Sequence, residues 1–463
     1  MNGVLELERG FEGFGQANME TLQLLQKALT AGSGVNAGAF TGGRALIPES
    51  LDNTLVNILH TQDEARIFQA LKKLPIKSPV HQWDERTEVG ADDGAWIPEG
   101  GDSEEADQTI ARKYKTAKYL QTLRKVTLQA SISNMIEPAM VLEQNAGTLW
   151  VIRNVERGLI YGNSTHFTNQ PDGLEMQIPA GNVIDVRGAD ASSVVFENAF
   201  NEGCRQIRDN YGRASNFYSS TKIMEDVQRL LRDRIRFQAG VTQGASVFTE
   251  YPTPFGTPKI QDDIFIKEGA KAVELLSGLT AKRPGAITID SATPAGSGSQ
   301  FGANDAGDYY YGVAGVNRYG VGAQTIHGAP TVVAVAAGEE VTLTVDAEAP
   351  APTAYALFRS KKGGASADMR FVGYFAYGNG TDDEFIDVNA DLPGTSDGYL
   401  LTMEQVYDAI EWFQFLPLMK FDLYPTNAAV YPFLMLLFGA LALKKPVQHI
   451  RIKNVSPSGL GWF

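Results

Sequence analysis

The stretch FLPLMKFDLYPTNAAVYPFLMLLFGALALKKPVQHIRIKNV, residues 415–455, contains the most hydrophobic run of this chain. The run extends from Phe433 to Leu443. A bilayer span needs about 20 apolar residues, so this shorter run predicts a buried element of a soluble core. We predict a buried strand over 430–443, followed by an exposed strand over 444–455. The preceding segment, residues 403–425, has helical and apolar character.

Residues 282–397, called here the β-rich segment, differ from the chain on either side. Short β-runs alternate there with Gly, Pro, Asn and Asp turns. The runs are AITI (286–289), DYYYGVAGV (308–316), TVVAV (331–335), EVTLTV (340–345), TAYALFR (353–359), MRFVGYF (369–375) and EFIDV (384–388). Seven short strands in about 115 residues are typical of an immunoglobulin or fibronectin type III sandwich. Because mixed α+β sequence flanks the segment, we predict an inserted β-sandwich.

Helical periodicity marks the part of the chain before the β-rich segment. A long amphipathic helix is predicted over 137–162, with Pro138 in its first turn. Its inward residues are Leu142, Ala146, Leu149, Ile152, Val155 and Leu159. A second helix is predicted over 193–211, with Phe196, Phe200, Ile207 and Tyr211 inward. After it, a strand is expected to enter a helix at Ser219, Ser220 or Thr221, which suit an N-cap.

The charge of the sequence changes from acidic to basic within residues 80–130. The acidic residues are Asp92, Asp93, Glu99, Asp102, Glu104, Glu105 and Asp107, and the basic ones that follow are Arg112, Lys113, Lys115, Lys118, Arg124 and Lys125. We predict two long strands joined by a polar tip. Such a hairpin has little core of its own, so we expect it to lie across a neighbouring subunit, with opposite charges setting the register. A solvated surface hairpin is the alternative.

The N-terminal region combines a short helical pattern with a flexible strip. Leucines recur at helical spacing over 18–30, and five of the fourteen residues from Ala31 to Arg44 are glycine. This pattern predicts an arm that docks on a neighbour, with a frayed terminus as the alternative.

The overall composition excludes some function classes. A length of 463 residues predicts two or three domains. The formal net charge of −14 argues against a protein that binds nucleic acid through contacts to its phosphates. Cys204 is the single cysteine, so no intrachain disulfide can form. The first residues lack the basic and apolar regions of a signal peptide, which predicts a protein made and retained in the cytoplasm.

Signals of catalysis are weak throughout the sequence. The histidines are scattered without metal-ligand spacing, at His60, His81, His166, His327 and His449. The glycines at 296, 298 and 302 resemble a dinucleotide loop only in outline, because their spacing is wrong and no helix is expected after them. The acidic stretch 92–107 lacks the alternation of a calcium loop. We therefore predict no catalytic residue, no cofactor and no metal.

The order of these elements resembles the Hong Kong 97-type (HK97-like) fold of tailed-phage major capsid proteins. The most specific match is the C-terminal stretch, with FGALAL at 438–443, Pro446 and RIKNV at 451–455. It is similar to capsid proteins of large contractile-tailed phages of the Twort and SPO1-like kind. Those relatives also carry an immunoglobulin-like insertion with strands like TAYALFRSKKGG and FIDVNADLPGT, found here from 353 and 385 onward.

The resemblance implies an α+β fold with a definite order of parts. These are an N-terminal arm (1–50), the E-loop hairpin with peripheral-domain strands (51–136), the spine helix with the first part of the axial domain (137–281), the inserted immunoglobulin/fibronectin-like β-sandwich (282–397) and the C-terminal axial and peripheral part (398–463). The intersubunit contacts we expect are made by the hairpin residues Asp92, Asp93, Glu99, Asp102, Glu104, Glu105, Arg112, Lys113, Lys115 and Lys118.

The implied function is assembly into the icosahedral head shell of a virion. Hexamers and pentamers would enclose double-stranded DNA without sequence-specific binding, and portal, scaffolding and decoration proteins would be partners. No membrane is involved. Because no lysine lies between Thr87 and Ala111, a covalent crosslink from the hairpin tip is not expected. The β-rich segment would project outward, either binding glycans weakly or stabilising and spacing the capsomers.

Two other functions are compatible with parts of the pattern. An encapsulin-like nanocompartment shares the fold, although the insertion and the C-terminal stretch favour a phage shell. An extracellular polysaccharide-active enzyme could carry a fibronectin module, although the internal position of the β-rich segment and the N-terminal sequence count against it.

Overall fold

The computed structural model describes residues 64–90, 96–102, 107–133, 138–232, 248–266, 280–328, 332–425 and 428–458. The helices and strands below belong to one compact unit formed by residues 59–133 and 139–463. The predicted helix over 18–30 and the glycine-rich strip after it lie outside the described residues. Within the described part, no helix is long and apolar enough to cross a membrane.

The described residues form a mixed α+β structure. The α-helices are α1 (Arg66–Ala70), α2 (Leu128–Ile132), α3 (Ala139–Tyr161), α4 (Leu174–Gln177), α5 (Val194–Asp209) and α6 (Thr221–Arg232). The strands outside the β-rich segment are β1 (Lys72–Pro75), β2 (Val80–Glu88), β3 (Thr109–Thr116), β4 (Lys118–Thr127), β5 (Val183–Asp185), β6 (Asn216–Ser219), β7 (Lys259–Asp262), β18 (Ser396–Leu401), β19 (Ile410–Asp422), β20 (Val430–Leu443) and β21 (Ile450–Val455).

Each predicted run of the β-rich segment contains at least one strand, whereas β11 and β12 lie outside the predicted runs. The strands are β8 (Ile287–Ala295), β9 (Gly307–Tyr309), β10 (Tyr311–Asn317), β11 (Gly320–Val321), β12 (Thr325–Ile326), β13 (Val333–Val335), β14 (Glu340–Ala347), β15 (Ala354–Arg359), β16 (Arg370–Ala376) and β17 (Asp383–Asp387). One sheet has the order β11-β10-β15-β16 with β12 beside β10, another has the order β17-β14-β8, and β9 pairs with β13. Alternating inward residues of both larger sheets, such as Val313 and Leu343, are fully buried in one hydrophobic core.

A four-stranded sheet in the order β1-β19-β20-β4 carries the long helix α3 on one face. The predicted helix over 137–162 is thus confirmed as Ala139–Tyr161. Val155 and Leu159 are buried as expected, but the four predicted inward residues before them are only half-buried. In the middle of the helix the buried residues are Gly147 and Val151 instead. The helix approaches β20 closely at Gly147, because a Cβ there would come within 3.1 Å of Met435.

A five-stranded sheet in the order β5-β21-β18-β6-β7 forms the second layer, with α5 and α6 packed on it. The predicted helix over 193–211 is confirmed as Val194–Asp209, with a Ser193 cap that accepts the Phe196 N–H. The prediction for Tyr211 is wrong. It is 86% exposed because the helix has ended and the residue has a φ of +61°. The strand-to-helix junction at Ser219–Thr221 is confirmed.

Two predictions for the C-terminal region are wrong. Residues 410–422, expected to have helical character, form the strand β19 between β1 and β20. Both faces of its first half are covered by packing, so hydrophobic residues there need no helical spacing. The strand β21, expected to be exposed, is buried because its side chains Ile450, Ile452 and Val455 pack in the hydrophobic core that α5 covers.

The predicted second arm of the hairpin is also interrupted. The run ARKYKTAKYLQTLRKVTLQA, residues 111–130, was expected to form one long strand. It breaks at Ala117, which is buried against Phe413 and Ala442. Strand β3 before the break pairs with β2, whereas β4 after it joins β20 in the four-stranded sheet. The run then ends in the short helix α2, capped by Thr127.

Candidate intersubunit contact surface

The strands β2 and β3 form a two-stranded antiparallel hairpin, paired from Val80 with Thr116 to Glu88 with Thr109. Most side chains of β3 are exposed on both faces. The large apolar residues exposed on the hairpin and its loop are Val80, Val89, Trp96, Ile97, Ile110 and Tyr114, with Trp96 98% exposed. An isolated hairpin is at best marginally stable in water. This hairpin is therefore a surface that a second molecule can stabilise.

Aromatic stacking fixes the base of the hairpin to the four-stranded sheet. The rings of His81 and Trp83 meet the Phe413 ring edge-on, with centroids 4.5 and 5.6 Å away. These anchors were not predicted from the sequence. His81 and Trp83 are two positions apart, so they lie on the same face of a strand, and this spacing is the local signal that could have identified the anchors.

The acidic residues predicted to make contacts are placed only in part. Glu99 and Asp102 lie exposed in the loop between β2 and β3. Asp92, Asp93, Glu104 and Glu105 lie outside the described residues. The two described carboxylates face solvent, where they are accessible to another subunit.

The basic residues predicted with them divide into two groups. Arg112 donates to Asp84 across the ladder at 2.8 Å, and this exposed hydrogen bond holds the pKa of Asp84 below its ordinary value. Lys113 is exposed beside it. Lys115 instead pairs with Asp172 at 2.9 Å, and the Lys118 ammonium donates to the Thr168 carbonyl at 2.5 Å. Lys115 and Lys118 therefore hold the hairpin base to their own chain.

Asp172, the ion-pair partner of Lys115, was not among the residues predicted from the sequence. Partial burial opposes ionisation of its carboxyl group, but hydrogen bonds from Ser164 and Lys115 bring its pKa below the ordinary value. It is therefore a charged anchor for Lys115 at neutral pH.

A cleft of about 270 Å³ opens next to this anchor, between α3, the loop after it and the β-rich segment. Its lining includes four cationic side chains, those of Lys118, Arg153, Arg157 and Arg318. The aromatic side chains in the lining are Tyr119, Trp150, Tyr161, Phe167, Tyr374 and Trp412. No carboxylate occurs among the described residues that line it. We call this feature the cationic cleft.

Among the described residues, His449 and Cys204 lie in settings that lower the reactivity of their side chains. Burial lowers the pKa of His449 to about 4, so its imidazole is neutral. Burial raises the pKa of the Cys204 thiol to about 11, which leaves little thiolate for nucleophilic attack. His166 is half-buried with a lowered pKa. Asp290, Asp346 and Asp382 bring carboxylate oxygens within 4.8 Å of one another on the β-rich segment, and two of the three residues are exposed.

Comparisons with known proteins agree along most of the chain. A family model described as SU10 major capsid protein matches residues 27–277. The major capsid protein of Staphylococcus phage K is 24% identical over 450 residues, which cover 93% of this chain and 94% of that protein. The putative major capsid protein of Enterococcus phage phiEF24C is 24% identical over 453 residues, with the same coverage.

Solved structures resemble the chain more distantly. The capsid of a native GTA particle has a TM-score of 0.48 at 11% identity, and the match covers 92% of this chain and 99% of the capsid chain. The holo-SrpI encapsulin complex of Synechococcus elongatus has a TM-score of 0.42 at 9% identity and covers 91% of this chain and 97% of its own.

Proposed function

The chain belongs to the SU10 major capsid protein family, and we propose that it is the repeating subunit of hexamers and pentamers that form an icosahedral phage head shell. It is a major capsid protein of the virion and oligomerises into the capsid. The observation that carries this function is the family match over residues 27–277, extended by the phage relatives along 93% of the chain. The resemblance predicted from residues 415–455 is confirmed.

We propose the HK97-like arrangement of parts for this chain. The arm would be residues 1–50, the E-loop hairpin and peripheral strands 51–136, the spine helix and first axial part 137–281, and the last part 398–463. The hairpin that projects without a core and the long helix on the four-stranded sheet support this assignment. Sheet topology supports an insertion at 282–397, because β7 before it and β18, which begins at its last two residues, belong to the same five-stranded sheet.

The β-rich segment is proposed to be an immunoglobulin/fibronectin-like sandwich. Its two larger sheets face one hydrophobic core, and each predicted run contains an observed strand. Weak glycan binding by the segment stays a prediction, as do portal, scaffolding and decoration partners.

The hairpin is proposed to be the main contact with neighbouring subunits. Glu99, Asp102, Arg112 and Lys113 are exposed, which supports a role in contacts between chains. The pairing of Lys115 with Asp172 supports a different role, which is to orient the hairpin on its own body. The shell would enclose double-stranded DNA without specific contacts, and the net charge of −14 supports weak affinity for DNA.

The proposed role is structural and involves no catalysis. The alternative of an encapsulin-like nanocompartment is less supported, because the family match and the named relatives are phage capsid proteins. Those relatives also argue against the polysaccharide-active enzyme.

The test is negative-stain electron microscopy of the purified full chain, with size-exclusion chromatography alongside. We expect shells, tubes or capsomer rings. A protein that stays monomeric at high concentration, with scaffolding protein supplied, would contradict the proposal. Particles isolated from infected cells should contain double-stranded DNA, whereas particles loaded with an enzyme would favour the nanocompartment.

A further inference from the structure

The cationic cleft has a chemistry that the shell function leaves unassigned. Beyond the proposed head-shell function, we propose that this cleft is a binding site for a nucleoside monophosphate, a ligand that joins a phosphate group to one aromatic base. The cations of the cleft hold the phosphate, and its aromatic side chains hold the base.

Helix α3 lines the cleft with one of its faces. Trp150, Arg153, Arg157 and Tyr161 follow one another at spacings of three or four residues, so they lie along the same side of the helix. Like charges four residues apart on a helix repel one another. No carboxylate occurs among the described residues that line the cleft, so the local potential is positive. An anion bound beside the two arginines reduces their repulsion.

Two further cations reach the cleft from other parts of the chain. Lys118 belongs to β4, and its ammonium donates to the Thr168 carbonyl at 2.5 Å. Arg318 follows β10 in the β-rich segment, and its guanidinium lies over the Tyr319 ring, 4.6 Å from the ring centroid. Guanidinium groups bind phosphate through paired N–H donors, and lysine binds it as a point charge. Contacts within the chain therefore position both cations before a phosphate group arrives.

Aromatic rings line the same cleft and suit a flat base. Tyr119 is 58% exposed, and its ring packs against Phe438 with the centroids 4.9 Å apart. Tyr374 of the β-rich segment packs against Phe167 with the centroids 5.4 Å apart. Trp150 is half-buried in the lining. Nucleic acid bases stack on such side chains with little preference among bases, because every base has a π-face. The cleft therefore offers contacts to both parts of a nucleotide.

The size of the cleft and the charge of the chain favour a single nucleotide over a nucleic acid. The cleft has a volume of about 270 Å³, close to the lower limit of about 300 Å³ for small-molecule sites. A nucleic acid strand needs a basic groove that follows successive nucleotides, whereas the chain as a whole carries a net charge of −14. The bases of a duplex are enclosed in its stack and do not reach an aromatic wall. One free nucleotide is therefore the occupant.

Isothermal titration calorimetry on the purified full chain tests the site with three probes. They are adenosine monophosphate, ribose 5-phosphate, which lacks the base, and adenosine, which lacks the phosphate. Adenosine monophosphate should bind at least about tenfold more tightly than either fragment, because stacking of the base and binding of the phosphate both add to its affinity. Equal affinity for adenosine monophosphate and either fragment would overturn the proposal, as would no binding of adenosine monophosphate at about 1 mM.

Single variants separate the contacts to the phosphate from those to the base. Arg318→Gln, at an exposed residue, should weaken adenosine monophosphate and ribose 5-phosphate alike by roughly tenfold. Tyr119→Leu should weaken adenosine monophosphate by roughly tenfold but change the affinity for ribose 5-phosphate by less than about twofold. Arg208→Gln, an exposed change on α5 outside the cleft, is the matched control and should leave both affinities unchanged. Equal effects of Arg318→Gln and Arg208→Gln would contradict the assignment.

A competing strand distinguishes a free nucleotide from a nucleic acid. A single strand of about eight nucleotides should bind no more tightly than adenosine monophosphate. A strand that binds more than about tenfold more tightly would assign the cleft to nucleic acid and overturn the proposal. Shells that form normally from a chain that binds no adenosine monophosphate would overturn this inference and leave the shell function intact. A chain that binds the nucleotide but never assembles would contradict the shell function alone.

Discussion

Glu156 and Asp263 form a buried carboxyl pair that joins the long helix α3 to the loop after β7. The two Glu156 oxygens accept the N–H groups of Ile67 and Phe68, at 2.8 and 3.0 Å. Asp263 accepts the Phe265 N–H through Oδ1, and its side chain is hydrogen-bonded to the Glu156 carboxyl group. Burial, and then the like charge of Asp263, raises the pKa of Glu156 well above its ordinary value of 4.5.

The two carboxyl groups therefore share one proton in the folded chain. Burial also raises the pKa of Asp263 above its ordinary value of 3.8. The other charged groups facing the pair are Arg66 and Asp262, which are 2.5 Å from each other, and the Tyr218 hydroxyl lies nearby.

The first prediction concerns stability against pH. The folded chain retains a proton that the unfolded chain releases above about pH 4.5, so the folded state binds more protons in that window. This contribution to stability is complete at lower pH and decreases as pH rises toward the raised pKa of Glu156. Asp263→Asn should reduce that slope, because burial alone still raises the pKa of Glu156. It should also stabilise the chain at pH 8 by about 1–2 kcal/mol, because the amide can donate a hydrogen bond to the ionised Glu156.

Urea unfolding of unassembled protein from pH 4 to pH 8 measures this effect. Glu250→Gln, a change at an exposed carboxyl group, is the control and should keep the slope. An Asp263→Asn variant with the wild-type slope would show that the pair does not share a proton.

The second prediction concerns a buried ion pair in the β-rich segment. Arg359 is 1% exposed and donates to Asp387 at 2.5 Å, with its guanidinium over the rings of Phe301 and Tyr309. Asp387→Ala would leave a buried cation without its partner, which costs about 3–5 kcal/mol. Chemical unfolding should show this loss. Glu384→Ala, an exposed change on the same strand, should stay within about 0.5 kcal/mol, and equal losses would contradict the assignment.

The third prediction uses two strand glycines. A Cβ on Gly439 would lie 2.5 Å from Trp412 Cζ2 and 2.6 Å from the Phe413 carbonyl oxygen, so Gly439→Ala should destabilise the chain by about 1–3 kcal/mol. A Cβ on Gly373 would meet nothing within 4 Å, so Gly373→Ala should be neutral or stabilising by about 0.5 kcal/mol. Thermal unfolding of both variants measures the difference, and a stable Gly439→Ala protein would refute the predicted clash.

The fourth prediction separates the two groups of hairpin lysines. Lys115→Ala removes the partner of Asp172 and should cost about 1 kcal/mol in the unassembled chain. Lys113→Ala should change that stability by less than about 0.5 kcal/mol but should reduce shell assembly, because Lys113 is exposed on the proposed contact. Urea unfolding and light scattering during assembly measure the two effects. Unchanged assembly in Lys113→Ala would exclude this residue from the contact.

The sequence by itself determined the elements whose signals are local. Each β-run of residues 282–397 contains a strand, because turn residues and alternating side chains act over a few positions. The helix Ala139–Tyr161 was predictable for the same reason, since its periodicity lies within the segment. The family resemblance came from the C-terminal stretch, where residue identities are specific.

Only the tertiary structure decided which surfaces are covered and which charges meet. Strand β19 is flanked on both sides by other strands, and no local pattern distinguishes such a strand from a buried helix. Lys115 pairs with Asp172, and Glu156 pairs with Asp263. The partners are far apart in the sequence, so no periodic pattern of residues predicts either pair. Burial and charge pairing depend on distances in the folded chain, which no local sequence pattern encodes.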